Sequence, residues 1–174
     1  MTTAELLDLY EYNQWAHERI LEAAAQLEPE EYDRDTGGSF PSVRKTVEHL
    51  LAREVVWLSR WEGHSLADAP DYSGCTDVHA LWSIWTSFWR RQFAFLNDLS
   101  DESLSKPILI RTRSGIETVQ PLRDTMVHVV NHSTYHRGQA ASQIRIAGGK
   151  PPSTDYFMYC LSRDAGEPDT EVAT

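Results

Sequence analysis

The chain has 174 residues and a formal net charge of −10, which predicts a single acidic domain. Nucleic-acid binding normally needs a basic stripe that neutralises phosphates, so we expect no nucleic-acid partner. No stretch approaches the ~20 apolar residues of a membrane span, and the N-terminal segment does not resemble a signal peptide. Two cysteines are present, Cys75 and Cys160, without metal-type spacing, so we expect a reducing, cytoplasmic location.

Four long helical patterns follow one another along the chain. The first spans residues 3–27 and ends in a segment rich in proline, glycine and charge. The second begins after Ser42, a typical N-cap residue, and stops near Gly63. The third begins at the capping pair Thr76–Asp77 and runs to about residue 99.

The third helix carries three tryptophans at helical spacing, Trp82, Trp85 and Trp89. An aromatic ligand cage is one interpretation of this stripe. Packing in the core or at a subunit contact is the favoured interpretation, because the same spacing marks a buried helix face.

A strand pattern precedes the fourth helix. Apolar and polar residues alternate around Ser114–Gly115, which predicts a short β-hairpin, with an irregular loop as the alternative. The fourth helix opens with Pro121 in its first turn and ends at about residue 147. Together these elements predict an all-α fold, an antiparallel four-helix bundle with one long crossover and a small β-hairpin before helix 4. We assign the bundle to residues 1–160 and expect residues 161–174 to form a polar, mobile tail.

The fourth helix also holds three histidines at four-residue intervals, His128, His132 and His136. Positions four apart share one helix face and lie about 6 Å apart, so two adjacent imidazoles can hold one metal ion. All three span about 12 Å along the axis, too far for a single ion. Spacing alone leaves open whether the pair is His128 with His132 or His132 with His136.

A third ligand should come from another helix, and His49 is the best candidate. It lies in the middle of an otherwise apolar helix, where a neutral imidazole is tolerated only with a partner. Three neutral imidazoles on a divalent ion leave positions open for water or substrate, as in catalytic sites. The competing interpretation is a core histidine with a satisfied ring nitrogen. We apply this interpretation, or a surface position, to His17, His64 and His79.

Two acidic residues flank the candidate ligand of the second helix. Glu48 and Glu54 could orient a ligand or act as a base, but a solvated helix edge is the favoured interpretation. Arg137, next to His136, is expected to pair with an acid on a neighbouring helix.

Three sequence blocks occur in a specific order: YEYNQWAHERIL (residues 10–21), VEHLLAREVVWLSRWEG (47–63), and HVVNHSTYHRGQ (128–139) followed by GGKPPSTDYFMY (148–159). They resemble the first helix, the second helix, and the fourth helix with the C-terminal segment of the DinB superfamily. The resemblance covers most of the chain up to about residue 160.

This resemblance implies a four-helix bundle whose second and third helices are joined by a long crossover. It also implies a divalent metal, often nickel or zinc, held by one histidine of the second helix and two of the fourth. By position these ligands are His49, His132 and His136. His128 then lies one turn away as a neighbour of the ligands or a pocket residue. Asn13 and Trp15 become structural residues along one pocket wall.

Relatives in the superfamily include transferases and an isomerase that use low-molecular-weight thiols. The resemblance therefore implies a metal-dependent enzyme, either an S-transferase with a low-molecular-weight thiol cosubstrate or a hydrolase, acting on a small-molecule substrate. A homodimer is expected. The alternative is a non-catalytic, metal-binding, dimeric, stress-related protein whose aromatic third helix forms the subunit contact.

Overall fold

A computed structural model of the chain describes residues 1–64, 69–111, 115 and 117–165. Within these residues the protein is mostly helical, with one small antiparallel sheet. The α-helices are α1 (Thr3–Ala24), α2 (Pro29–Tyr32), α3 (Val43–Trp61), α4 (Val78–Asn97), α5 (Leu122–Ala147) and α6 (Tyr156–Ala165). A 3-10 helix (Ser103–Ser105) and the strands β1 (Pro107–Arg111) and β2 (Glu117–Pro121) lie between α4 and α5.

The helix ends follow local capping chemistry. The predicted N-caps Ser42 and Asp77 are confirmed, because their side chains accept hydrogen bonds from the backbone of the first helical turn. A capping box between Thr2 and Glu5 begins α1. Gly148 ends α5 with a φ of 104°, a left-handed conformation that glycine adopts without a side-chain penalty.

The four longest helices correspond to the four predicted helical patterns. Helix α1 packs against α4 and α5, and α3 packs against the same two helices. Each of the four contributes fully buried side chains to the core between them, among them Leu6, Leu51, Trp85 and Met126. This packing sets α3 beside α5 along the faces that carry the candidate histidines.

Core packing accounts for the tryptophan stripe of α4. Trp85 and Trp89 are buried within the chain, and Trp82 is half-buried against the same core. The rings of Trp85 and Trp89 lie 5.3 Å apart. The core interpretation is therefore confirmed for the two buried rings.

The predicted hairpin is confirmed as a two-stranded antiparallel pair. Its register runs from Pro107 opposite Pro121 to Arg111 opposite Glu117. Of the predicted turn, Gly115 is described and has a φ of 84°, whereas Ser114 lies outside the described residues. Pro121 ends β2 and is the N-cap of α5, one residue earlier than its predicted place in the first helical turn.

Helix α6 was not predicted from the sequence. Its Arg163 donates to Asp8 of α1 at 2.6 Å, and the Tyr156 hydroxyl bonds to the other oxygen of the same carboxylate at 3.1 Å. The helix includes residues 161–165 of the segment that we expected to be a tail, whereas residues 166–174 lie outside the described part. Helix α1 ends at Ala24, three residues before its predicted end.

No helix in the described part of the chain is both long and apolar enough to cross a membrane.

The core assignment can be tested with one substitution at two positions. Leu51 is 0% exposed and Leu109 of β1 is 53% exposed. Leu51→Ala leaves a cavity and should lower the free energy of unfolding by about 2–5 kcal/mol. Leu109→Ala should change it by less than about 0.5 kcal/mol. Urea denaturation measures both, and equal losses would contradict the described core.

Candidate metal centre

Three imidazoles meet where α3 faces α5. His49 comes from α3, and His132 and His136 come from α5. Each offers a ring nitrogen, and these nitrogens all lie within 4.8 Å of one another. The ring centroids are 5.4 Å apart for His49 and His132, 4.6 Å for His49 and His136, and 4.4 Å for His132 and His136. We call these residues the three-His cluster.

Local helix geometry and helix packing both contribute to this arrangement. His132 and His136 are four residues apart, so one turn of α5 places them on the same face. His49 joins them only because α3 packs along that face of α5. Of the two pairs that spacing left open, the structure brings His132 and His136 to His49. His128 is further away, with its ring 5.9 Å from that of His132.

The donor set fits a divalent transition metal. Imidazole nitrogens suit zinc, nickel, copper and iron. A tetrahedral zinc ion holds its nitrogen ligands roughly 3.4 Å apart. Nitrogens that already lie within 4.8 Å of one another reach this separation by small side-chain rotations. The ligand assignment itself stays a prediction.

Burial favours the ligand form of the central histidine. It lowers the pKa of His132 to about 4, and the neighbouring His136 and His128 add to this effect. The ring is therefore neutral at pH 7, as metal ligation requires.

A hydrogen bond orients the third imidazole. The Nδ1 atom of His136 lies 2.7 Å from Oε1 of Gln139. This contact leaves Nε2 of His136 available to an ion, which is how side chains outside the coordination sphere commonly fix a ligand ring. We did not predict this role for Gln139, although residues three apart on a helix are neighbours.

Aromatic side chains surround the cluster. The Phe40 ring lies 4.2 Å from that of His49 and 5.5 Å from that of His136. Tyr135, which is 64% exposed, has its ring 5.0 Å from that of His136. The Phe40 carbonyl accepts a 2.7 Å hydrogen bond from Gln143 of α5, which ties this loop to the site. The sequence analysis missed Phe40, because nothing in the local pattern brings residue 40 to α5.

The prediction of a solvated helix edge was wrong for both glutamates. Glu54 is 1% exposed, and Glu48 is also buried. Glu48 pairs with Arg44 at 2.8 Å and with Lys45 at 2.9 Å on its own helix. These ion pairs, rather than solvent, compensate its charge.

The carboxylate of Glu54 accepts hydrogen bonds from α1, α4 and α5. Asn13 Nδ2, His17 Nε2 and Ser133 Oγ each lie 2.8 Å from Oε1, and Gln92 Nε2 lies 3.0 Å from Oε2. Burial alone would raise the pKa of Glu54. Electrostatic attraction to the His17 ring and the hydrogen bonds from His17, Gln92 and Asn13 outweigh burial and lower the pKa of Glu54 to about 2, while burial lowers the pKa of His17 itself.

Arg137 joins the same network one step further on. It is 0% exposed and donates from Nη1 to Oδ1 of Asn13, and from Nη2 to Thr134 at 2.9 Å and Tyr12 at 3.2 Å. We expected Arg137 to pair directly with an acid of a neighbouring helix; instead the Asn13 amide bridges Arg137 to Glu54. We call Asn13, His17, Glu54, Gln92, Ser133 and Arg137 the Glu54 network.

The other residues singled out from the sequence lie outside the three-His cluster. His17 is buried against Glu54, whereas His64 and His79 are exposed. Trp15 is half-buried beside Tyr159 of α6, at 5.6 Å between rings, and so serves packing. Asn13 belongs to the Glu54 network.

Comparison with known proteins gives the family. The model of the DinB family matches residues 1–170. The chain belongs to the DinB family. A member of it, Protein DinB of Bacillus subtilis (strain 168), is 29% identical over 158 residues, which cover 87% of this chain and 91% of that protein.

A solved structure supports the DinB fold. The crystal structure of a DinB-like protein from Bacillus cereus ATCC 10987 matches with a TM-score of 0.65. The match covers 87% of this chain and 97% of that one, at 19% sequence identity. At this identity the likeness concerns the fold alone.

The Glu54 network gives a pH-dependent prediction. The folded-state pKa of Glu54 is about 2, below the ordinary value of 4.5. Its ionisation therefore stabilises the fold above about pH 4.5, and this contribution is lost as the pH falls towards 2. Glu54→Gln should cost on the order of 3 kcal/mol at pH 7, and the difference from the parent should shrink between pH 5 and pH 2.

Urea denaturation at several pH values measures this difference. Glu11→Gln, on the exposed face of α1, is the control and should follow the parent at every pH. Parallel losses of stability in the parent and Glu54→Gln would contradict the assignment.

Proposed function

We propose that this DinB-family protein is a metal-dependent enzyme that holds one divalent ion, nickel or zinc, through His49, His132 and His136. The observation that carries the proposal is the approach of three ring nitrogens from two helices to within 4.8 Å of one another. Three neutral nitrogen ligands leave coordination positions open, which is typical of catalytic sites.

We further propose that the four long helices form an antiparallel four-helix bundle with a long crossover between α3 and α4. The contacts of α1 and α3 with both α4 and α5 support this arrangement. In such a bundle, metal sites are built from side chains on facing helices.

The proposed reaction is either S-transfer from a low-molecular-weight thiol or hydrolysis of a small molecule. A bound divalent ion lowers the pKa of a thiol or water that reaches it. The three histidines would hold that ion, with Gln139 orienting His136. Phe40 and Tyr135 would contact the apolar part of a small substrate, because their rings lie beside two of the three imidazoles.

The same proposal includes a cytoplasmic homodimer without nucleic-acid or membrane partners. The net charge of −10 supports the part that concerns nucleic acid.

A second candidate is a non-catalytic, metal-binding, dimeric, stress-related protein. One observation favours it: within the described residues, the cluster contains imidazoles only and no carboxylate that could act as a general base. This candidate predicts stabilisation by the metal without turnover.

Metal analysis tests the ligand set. Protein loaded with Zn²⁺ or Ni²⁺ and desalted should retain one equivalent. His49→Ala, His132→Ala and His136→Ala should each lose most of it, because two imidazoles hold an ion far less tightly than three. His64→Ala and His79→Ala, at exposed positions, are the matched controls and should bind like the parent. Full occupancy in any of the three cluster variants would refute the assignment.

Enzyme assays separate the two candidates. Metal-loaded protein should conjugate small thiols to electrophiles or hydrolyse activated esters, and His136→Ala should reduce turnover at least about 100-fold because the ion is lost. Chromogenic electrophiles and esters provide the measurement. If the loaded protein is stabilised by its metal but turns over no substrate in either assay, the binding-only candidate stands.

A further inference from the structure

The Glu54 network and the three-His cluster share two helices. Glu54 and His49 both belong to α3, and Ser133 and Arg137 alternate with the two histidines of α5. Ser133 directly follows His132, and Arg137 directly follows His136. Each proposed ligand of α5 therefore has a network residue next to it, on a face of the helix turned by about 100°.

We infer that the Glu54 network positions the metal ligands by fixing the rotation of α5 about its own axis. This inference rests on the proposed metal function. The bond from Ser133 Oγ to Glu54 joins α5 to α3 directly at 2.8 Å. One turn later, Arg137 joins α5 to α1 through Asn13 and Tyr12. These two hydrogen-bonded positions, one turn apart, fix one face of α5. Because the helix is rigid, they also fix the direction in which the neighbouring face, with His132 and His136, points.

The rotation of α5 is important because a metal site tolerates only small displacements of its ligands. Side chains lie roughly 5 to 6 Å from the axis of a helix, so a rotation of about 20° moves an imidazole by roughly 2 Å. Metal–ligand distances tolerate only about 0.2 Å. Apolar packing holds a helix less specifically than directional hydrogen bonds do. The two hydrogen-bonded positions therefore keep the imidazoles close enough for side-chain rotations to complete the coordination geometry.

Stability alone does not explain a buried carboxylate and a buried guanidinium in this core. Replacing buried ionic groups by apolar residues of similar size is often neutral or stabilising. A role in orienting α5 would explain why these ionic groups are buried. The positions of the network residues agree with this role, because they lie beside the histidines of α5 and on the helix that carries His49.

Two deletions of a hydroxyl group on α5 test the inference. Ser133→Ala removes the bond to Glu54. Thr125→Val is the matched control, because the buried Thr125 hydroxyl accepts a 3.0 Å bond from Trp61 of α3 and donates to the Leu122 carbonyl, and neither partner belongs to the Glu54 network. Co²⁺ is the probe, because its visible absorption reports coordination geometry. Titration gives its dissociation constant, and thermal unfolding gives stability.

Both variants should lower the unfolding temperature, since each loses a buried hydrogen bond between α3 and α5. Only Ser133→Ala should also raise the dissociation constant for Co²⁺, by about tenfold, and alter the visible spectrum. A merely structural role for Ser133 predicts the parental constant and spectrum, and that result would overturn the inference.

A second variant covers the possibility that Ser133→Ala does not fold. Tyr12→Phe removes the hydroxyl on α1 that accepts a hydrogen bond from Arg137 and should weaken Co²⁺ binding in the same direction. Parental binding in Tyr12→Phe, together with a Ser133→Ala that either does not fold or also binds like the parent, overturns the inference while the proposed function stands. If the parent itself binds no Co²⁺, the proposed function fails and the inference fails with it.

Discussion

The carboxylate of Glu54 is the interaction on which the packing of the four long helices depends. It is buried on α3 and accepts hydrogen bonds from α1, α4 and α5. Taking a carboxylate out of water costs several kcal/mol. Hydrogen bonds to charged groups return about 1.5–3 kcal/mol each, so the four bonds together offset this cost, and an arrangement that loses any of them is less stable. The network therefore specifies one relative arrangement of the four helices.

The candidate metal site lies on the next face of the same helix pair. On α5, Ser133 and Arg137 bond to the other members of the Glu54 network. His132 and His136, each one residue earlier, lie close to His49. A rotation that improved one set of contacts would break the other, because both sets belong to one rigid helix. The fold and the proposed chemistry thus depend on the same orientation of α5.

The aromatic surroundings of the site support the small-molecule substrate that we propose. Phe40 and Tyr135 lie beside the imidazoles, and the loop that carries Phe40 is tied to α5 through Gln143. Aromatic walls around a few polar groups are typical of small-ligand sites. The excess of acidic residues is consistent with this view, since it repels polyanions.

The sequence by itself determined the four long helices, the hairpin strands and the placement of His128, His132 and His136 on one helix face, because these depend on periodicity, caps and spacing within one segment. Only the tertiary structure decided which side chains meet across segments. The local sequence around Glu54 indicates only a charged position on a helix. Its burial depends on the hydrogen-bond donors Asn13, Gln92 and Ser133, which are 41, 38 and 79 residues away in sequence. The contact of Phe40 with His49 and the packing of α6 on α1 likewise depend on how distant segments pack together. A helical pattern specifies which face a residue occupies, but not which element covers that face.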